Sequence, residues 1–445
     1  MLILLLITLI LFFVFSFWTL GKDFCQPSCL VILSYIVCTL CALMMQSYWQ
    51  YTYHFKTMGI ILLGLLIIYL ANLFFYKYRI TVFKKSSNEN ATLTVTNVPN
   101  IIYILLLGVQ IVAVVLYYLE ILRIVGGGVN ISAIMTVFRA ETSYDTEESV
   151  SFVASQFLNV SFAISLISLY VFLKITLIEG VKRNVKFLVP VILYIFNSLM
   201  TGGRFSSLIV ITAGITMFAI LYRKRFKRGF SWKVWFWLVG IVLLALAGFY
   251  LIRELIGRTS TAAKESSFIE YICNYMGGSL PLFDMYLQDP IEKSAIWGKE
   301  TFFALNNQFI EWGLIDAEPY ITHLEFRSYN GYSLGNIYTG FRRNLQDFGF
   351  FEMLLLQFIF SAIMSGAYNK VKRSGSEYGT IVYCSIAYVL YLHGQNDYFY
   401  IRVLSLGTLI ITLLLYFVYA YAVKKRIGRV RLFGGVEREL IWGHK

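Results

Sequence analysis

Long uncharged stretches constrain the fold of this chain more than any other feature of its sequence. Residues 2–20, 57–76 and 234–252 contain no Asp, Glu, Lys or Arg. An α-helix needs roughly 20 apolar residues to cross the hydrocarbon core of a bilayer, and the lack of water there requires each backbone group to be paired within the segment. Each stretch therefore predicts one membrane-spanning helix.

The composition supports the same interpretation. Charged residues make up 14% of the 445 residues and hydrophobic residues 58%, whereas a soluble domain carries about 25% charged residues. The first stretch has no basic region before it and a poor cleavage sequence, Gly21-Lys22-Asp23, after it, so we expect a retained helix rather than a secretory signal. The sequence predicts an all-α integral membrane protein with about 11 transmembrane helices, at residues 2–20, 29–48, 57–76, 101–122, 152–175, 187–201, 205–222, 234–252, 349–369, 380–394 and 403–423.

Positive charge is distributed unevenly between the two sides of these spans. The loops after odd-numbered spans and the C-terminal tail contain 24 Lys and Arg, while the short loops on the other side contain five, namely Lys56, Arg123, Arg139, Arg204 and Arg402. The positive-inside rule then predicts an extracytoplasmic N-terminus and a cytoplasmic C-terminus. The net charge of +13 is thus explained by topology and contact with anionic lipid, and it does not indicate nucleic-acid binding.

The chain is expected to be a single polytopic membrane domain, residues 1–445, with one large extracytoplasmic loop at residues 254–348, which we call the cap. The cap carries seven Lys and Arg, twelve Asp and Glu, and many aromatic residues. Disordered segments are poor in aromatic residues, so this composition predicts an ordered structure. Residues 267–288 and 300–312 are predicted to form amphipathic helices that lie along the outer membrane face.

The most specific polar motif is Thr201-Gly202-Gly203-Arg204. Two antiparallel spans reverse direction here, and paired glycines allow a tight turn. The N-terminus of the following helix presents unpaired N–H groups beside the Arg204 guanidinium, a combination that favours an anion site. The alternative is a simple turn with one arginine extended toward the membrane surface.

More arginines are expected at the same outer level of the membrane. With Arg204 they form a candidate pyrophosphate-binding set, because a planar guanidinium binds two oxygens at once. The alternative for each arginine is an ion pair with a nearby acid, as the spacing of Glu120 and Arg123 predicts for that pair. The other members of the set are Arg139, Arg253, Arg258, Arg342, Arg343 and Arg402.

A polar break at residues 392–398 separates the last two predicted spans. His393 and Asp397 are candidate general bases, because burial and neighbouring groups can tune either side chain. The same residues also fit a polar hairpin loop without catalytic function. Competing candidates for the base lie in the cap, at Asp316, Glu318, His323 and Glu325.

Several signatures of metal and nucleotide chemistry do not occur in the sequence. It contains no Walker A loop, no paired His at zinc spacing and no Asp-x-Asp pair. We therefore expect neither a cofactor nor a metal ion, and a reaction that uses an already activated donor and protein cations for charge stabilisation.

These features together resemble the Wzy-type oligosaccharide repeat-unit polymerases of bacterial O-antigen and capsule synthesis. The resemblance covers the span count, the large late external loop, the turn at 201–204, the segment 335–339 with 347–349, and the break at 393–397. The Arg-x10-Gly pattern that some members carry does not occur at the outer arginines.

The resemblance implies a metal-independent glycosyltransferase in the bacterial inner membrane. It would transfer the growing glycan from undecaprenyl pyrophosphate onto a new lipid-linked repeat unit, with Arg204 acting in catalysis beside His393 or Asp397. It also implies a chain-length regulator and a flippase as partner proteins. Two alternatives remain: an O-antigen ligase with the same donor and a lipid A core acceptor, and a transporter of polysaccharide or lipid-linked sugar, which would be expected to bury ionisable residues near mid-membrane.

Overall fold

The computed structural model describes residues 1–81, 98–126, 130–143, 150–181, 184–227, 229–253, 267–321, 323–374 and 376–424. Arg258, the glycines at 127–128, most of the acidic stretch at 141–148 and the basic tail after 424 lie outside the described residues. Within those ranges the chain is predominantly helical, and its β-structure is one two-stranded antiparallel ribbon.

Nine helices in the described ranges are long and apolar enough to cross a membrane. They are α1 (Leu2–Thr19), α2 (Pro27–Trp49), α3 (Phe55–Lys77), α4 (Asn100–Val125), α6 (Phe152–Glu179), α8 (Phe205–Phe226), α9 (Trp232–Leu251), α14 (Phe350–Arg373) and a last helix at Leu406–Val423, which consists of α17 (Leu406–Tyr419) and a π-helical end, Ala420–Lys424. A shorter helix, α5 (Ile131–Ser143), lies between α4 and α6. The protein therefore has the architecture of an all-α, multi-pass membrane protein.

The two remaining predicted spans form shorter elements. A 3-10 turn at Val185–Leu188 leads into α7 (Val189–Leu199), which has Pro190 in its first turn. The span predicted at 380–394 is divided into α15 (Glu377–Ile386) and α16 (Tyr388–Tyr391). Both fall below the length of a full span, so a total of 11 stays a prediction.

The spanning helices differ in how far they are enclosed by the rest of the protein. About three quarters of α2 and α6 is buried inside the bundle, 72% for each, but only 6% of α9. Apolar side chains of α9 that face away from the protein, such as Leu244, are suited to contact with lipid. Helix α9 is therefore peripheral, and the candidate site described below lies at its end.

The cap forms helices at both segments where the sequence predicts them. They are α10 (Phe268–Gly277), α11 (Ser279–Gln288) and α12 (Phe303–Glu311), followed by β1 (Arg327–Tyr329), β2 (Tyr332–Gly335) and α13 (Arg342–Phe348). Residues 329 and 332 pair across a turn at Asn330-Gly331, where both residues have positive φ. The cap is thus ordered over its described residues.

The position of α10 and α11 differs from the expectation that they lie along the outer membrane face. Both helices pack into the bundle against α2, and a Cβ placed on Gly277 would lie only 2.5 Å from the backbone nitrogen of Ala42. Helix α11 is buried nearly all round, at Leu280, Leu282 and Phe283 among others. An apolar face suits a neighbouring helix as well as it suits lipid, so amphipathicity alone does not distinguish the two positions.

Candidate functional site

Arg204 lies at the N-terminus of α8 and is directed toward α9 and α10. Its guanidinium donates hydrogen bonds to the Phe249 carbonyl and, at 2.7 Å from Nη2, to the Tyr271 hydroxyl. The same group lies 3.6 Å from the centre of the Phe249 ring. With 4% of its surface exposed, Arg204 is a buried charge held by aromatic rings and dipoles.

Arg253, just after α9, lies near the ring of the same tyrosine. Its guanidinium is 4.0 Å from the Tyr250 ring centre and 5.2 Å from that of Tyr271. The side chain is 5% exposed, and among the described residues its Nη1 has no hydrogen-bond acceptor and the guanidinium no carboxylate. A buried cation without an acceptor is costly, so the arrangement favours an anionic ligand.

The turn before Arg204 is built as the sequence predicts. Gly202 has φ +70°, and the Gly203 N–H donates to the Thr201 hydroxyl at 3.3 Å. A Cβ on Gly202 would lie 3.2 Å from the Cβ of Arg139, which comes from α5. Arg139 therefore lies directly against this turn. Its contact there is Gly202, which precedes Arg204 by two positions.

Arg402 approaches the turn from the last polar break. It is exposed and lies on a π-helical segment, Phe399–Val403, with its guanidinium 4.8 Å from the Phe205 ring centre. Phe205 also packs on Tyr398 at 4.5 Å between ring centres. Segments of π-helix are frequent at functional sites, where they reposition a side chain. Arg139 and Arg402 thus border the turn that carries Arg204, and Arg253 shares Tyr271 with Arg204; we call these four arginines the turn cluster.

Arg343 connects a second group of polar residues to this cluster. Its Nη1 lies 2.7 Å from Glu300 Oε2, and its Nε donates to Asn396 Oδ1 at 3.3 Å. Burial raises the pKa of the Tyr398 hydroxyl, while the charges of Arg402 and Arg343 both act to lower that pKa. Tyr398 packs on Phe205 of the turn and follows Asn396, the acceptor of Arg343, by two residues, so it links Arg343 to the turn cluster.

Arg342 is placed differently from the other candidate arginines. It is fully buried, with Nη2 at 3.2 Å from Glu325 Oε1, and it also donates to Gln346. Its guanidinium lies 3.3 Å from the Tyr286 ring centre. The charge of Arg342 is already matched by Glu325, so it anchors α13 to the segment before β1, and none of these contacts is with the turn cluster.

His393 is enclosed between the cap and two spanning helices. Its Nε2 lies 2.9 Å from Gln357 Oε1 and its Nδ1 lies 3.4 Å from the Tyr35 hydroxyl. Its ring stacks on Phe360, and its carbonyl accepts from the Gly340 N–H at 2.8 Å. With 2% of the residue exposed and both ring nitrogens engaged, His393 holds elements together rather than facing a substrate in this structure.

Asp397 is also occupied by protein donors. Its Oδ1 accepts from the backbone N–H groups of Phe399 and Tyr400, each at 3.1 Å, and its Oδ2 accepts from Asn344 at 2.9 Å. Burial raises the pKa of Asp397 to about 6 despite these hydrogen bonds. This carboxyl caps the π-helical segment that carries Arg402, so its role is to position that segment.

The candidate bases of the cap differ in their surroundings. Asp316 and Glu318 are exposed, and His323 is exposed with its Nδ1 3.4 Å from the Asn336 amide. Glu325 is committed to Arg342 and also lies 3.4 Å from Arg327. Of these four, Glu325 is thus enclosed by an ion-pair network, and the other three lie at the protein surface.

Two acidic residues at this level were not among the sequence candidates. One is Glu300, the partner of Arg343, and the other is Asp284 on α11. Asp284 is fully buried and accepts hydrogen bonds from the His54 N–H at 3.0 Å, the His54 ring at 2.8 Å, the Tyr51 hydroxyl at 2.7 Å and Thr57. Asp284, which belongs to the cap, thereby holds the N-terminus of α3. Glu300 and Arg343 are 43 positions apart, and His54 and Asp284 are 230 apart, so no local sequence spacing predicts either pairing.

Comparison with known proteins adds no assignment to this geometry. No protein-family model, no curated protein and no solved structure matches the chain. Within the described ranges, no group of three or more His, Cys, Asp or Glu side chains is placed to hold a metal ion. A function must therefore be argued from the turn cluster and its surroundings.

Proposed function

We propose that this protein is a glycosyltransferase that polymerises lipid-linked oligosaccharide repeat units at the outer leaflet of a bacterial inner membrane. The growing glycan leaves undecaprenyl pyrophosphate and joins a new repeat unit on the same type of carrier. The observation that carries the proposal is the pair of buried guanidinium groups around Tyr271, of which Arg253 has no acceptor for Nη1 within the described chain.

The turn cluster has the chemistry that a departing pyrophosphate requires. Transfer from this donor develops negative charge on the leaving group, and preorganised cations in a dry site stabilise that charge strongly. Arg204 and Arg253 supply planar forks that bind phosphate oxygens in pairs. Arg139 and Arg402 border the same turn, and the N-terminus of α8 adds its positive dipole end.

The position of the cluster also fits a lipid-linked substrate. Arg253 directly follows α9, the spanning helix with the smallest buried share in the described chain. A pyrophosphate bound at Arg253 would therefore keep its polyprenyl chain beside a lipid-exposed helix. A soluble sugar donor has no lipid chain to place beside α9, so this location would not favour its binding.

The remaining assignments follow from the same proposal. The N-terminus would be extracytoplasmic, so that the turn cluster and the cap face the outer leaflet, where a flippase delivers repeat units. A chain-length regulator would act on the polymer. Arg342 and Asp397 would support the site by fixing α13 and the π-helical segment rather than by contacting the pyrophosphate.

A gene deletion in the bacterial host tests the proposal, with wild-type complementation as the control. We expect the deletion strain to lose polymer and to retain surface molecules that carry a single repeat unit. Accumulation of free lipid-linked polymer would instead identify a ligase. Accumulation of repeat units on the cytoplasmic face would identify a transporter. An unchanged polymer would overturn all of these assignments.

A further inference from the structure

We propose that the turn at residues 297–300 is the acceptor-sugar subsite, in which Trp297 stacks on the sugar ring and the Glu300 carboxylate accepts the proton of the attacking hydroxyl. This inference rests on the proposed glycosyl transfer and assigns its general base. The structure supplies three independent observations for it: a rigid turn, an exposed aromatic face and a carboxylate with one uncommitted oxygen.

The turn is fixed by contacts from two sides. Gly298 has φ +65°, and the Asn306 amide donates to the carbonyls of Trp297 and Gly298, each at 3.1 Å. On the other side, the Asp347 carboxylate accepts from the Thr301 N–H at 2.7 Å. The side chains of this turn are therefore presented by a rigid backbone, as a preorganised site requires.

Trp297 offers one face of its ring system to the exterior. Its exposed fraction is 72%, and its other face stacks on Phe302 at 5.3 Å between ring centres and an angle of 21°. The Phe348 ring supports its edge at 5.1 Å. A flat aromatic surface held in this way and left open on one side is suited to the apolar face of a sugar ring.

Glu300 has one oxygen engaged and one available. Its Oε2 accepts from Arg343 Nη1 at 2.7 Å, whereas Oε1 accepts no hydrogen bond from the described chain. The side chain is 19% exposed. Asp397, by contrast, has both oxygens occupied by protein donors. Glu300 is thus the better placed of the two to meet a hydroxyl.

Burial tunes the Glu300 carboxyl toward base catalysis. Burial is the largest influence and raises its pKa, Arg343 lowers that pKa, Asp347 raises it, and Arg342 and Lys299 lower it. A general base is most effective when its pKa lies closer to the working pH than that of an ordinary carboxyl. The raised pKa of Glu300 is therefore consistent with its proposed role as the general base.

The acceptor subsite adjoins the turn cluster through two aromatic residues. Phe302, beneath Trp297, packs on Tyr400 of the π-helical segment at 5.9 Å between ring centres. Arg343, beside Glu300, donates to Asn396, which lies two residues before Tyr398, and the Tyr398 ring packs on Phe205. The acceptor subsite and the turn cluster thus both contact the short stretch from Tyr398 to Arg402.

The proposed step balances without any further reactant. The acceptor hydroxyl gives its proton to Glu300 Oε1, and its oxygen forms a bond to the anomeric carbon of the donor glycan. The bond from that carbon to the pyrophosphate breaks, and its electron pair leaves on undecaprenyl pyrophosphate, held by Arg204 and Arg253. Glu300 then releases the proton to water.

The test uses purified full-length protein and the undecaprenyl-pyrophosphate-linked repeat units that accumulate in the deletion strain. We expect Glu300→Gln to lower kcat by about 10²-fold to 10⁴-fold, because it removes the base and keeps a polar partner for Arg343. Glu300→Asp should be intermediate. Trp297→Ala should raise KM roughly five-fold with a smaller effect on kcat. Glu311→Gln, which changes an exposed acid on α12, is the matched control.

The pH profile separates a base from a structural residue. Wild-type kcat should fall as the pH drops through the raised pKa of Glu300, and the residual rate of Glu300→Gln should lack that fall. The inference would be overturned if the Glu300→Gln variant kept the kcat and the pH profile of the wild-type protein. If Glu300→Gln unfolds, Glu300→Asp decides the question: wild-type kcat in that variant would also overturn it. A wild-type protein that forms no polymer would instead remove the proposed function.

Discussion

The guanidinium groups of Arg204 and Arg253 meet at one side chain, the phenol of Tyr271. Arg204 donates to its hydroxyl at 2.7 Å, and Arg253 lies 5.2 Å from the centre of its ring. Two like charges held near each other strengthen the attraction for a bound anion. A bound pyrophosphate would place negative charge beside both guanidinium groups, which is why this pair is central to the proposed function.

Replacement of Arg253 should weaken donor binding. We expect Arg253→Ala to raise KM for lipid-linked repeat units roughly 10-fold to 100-fold, the effect of losing a charge-assisted hydrogen bond. Arg253→Lys should fall between Ala and wild type, because it keeps the charge and loses the fork. Arg123→Gln is the matched control, since Arg123 is an arginine outside the turn cluster whose Nε lies 3.0 Å from Glu120 Oε2. Equal KM values for Arg253→Ala and the control would contradict the assignment.

The Thr201–Arg204 turn should not accept a side chain at Gly202. In Gly202→Ala, the new Cβ meets Arg139 at 3.2 Å and the backbone must hold φ +70°, a strain of about 1 kcal/mol or more. We expect a lower unfolding midpoint in detergent and reduced polymerisation. Gly203→Ala is the control, because its nearest contact is an ordinary 3.4 Å to Thr201. Identical behaviour of the two variants would argue against the turn geometry.

Asp397 should make stability depend on acidic pH. Its folded-state pKa of about 6 lies above the ordinary value of 3.8, so the folded protein holds the proton more tightly than the unfolded chain. The contribution of Asp397 to the free energy of unfolding therefore decreases as the pH rises from about 4 to about 6. Asp397→Asn should flatten this part of the profile of unfolding midpoint against pH. An unchanged profile would show that this carboxyl does not titrate as described.

The two Asp397 replacements should differ in stability. Asp397→Asn can still accept from the Phe399 and Tyr400 N–H groups, and its amide can donate to Asn344 Oδ1, which has no partner in the described chain. Asp397→Ala removes both caps and should cost about 1–2 kcal/mol more. Thermal unfolding in detergent measures the difference. A less stable Asn variant would contradict the capping role.

Lys174 and Glu377 form an ion pair between α6 and α15, in which Lys174 is buried and the Glu377 side chain is 22% exposed. Glu377→Gln removes a charge-assisted hydrogen bond from Lys174 and should cost about 1.5–3 kcal/mol. The double variant Lys174→Met/Glu377→Met should recover most of that loss, because it removes both charges. Unfolding midpoints of the single and double variants test this. A double variant no more stable than the single one would contradict it.

The features that sequence reasoning predicted well are those set by local chemistry. The positive φ of Gly202 follows from a reversal between two adjacent helices, and the Glu120–Arg123 ion pair follows from helical spacing. The pairing of Glu300 with Arg343 joins residues 43 positions apart, and that of Lys174 with Glu377 joins residues 203 apart. Such pairs depend on how helices pack, so no local pattern contains them.

Polarity in an apolar sequence indicates where polar groups are needed and not which way they face. The break at His393 and Asp397 is polar because Gln357, Tyr35, Asn344 and two backbone N–H groups need partners there. The assignment of His393 or Asp397 as the general base stays a prediction, and both side chains are buried in the structure. Glu300 became a candidate only through its packing beside Arg343 and Trp297.

Binding of the carrier lipid tests the role of the turn cluster most directly. Purified protein in nanodiscs would be titrated with undecaprenyl pyrophosphate and with undecaprenol, which has the same chain and no phosphate. We predict preferential binding of the pyrophosphate form by wild type, and loss of that preference in the double variant Arg204→Ala/Arg253→Ala. Equal binding of both lipids by wild type, or an undiminished preference in a folded double variant, would contradict the account.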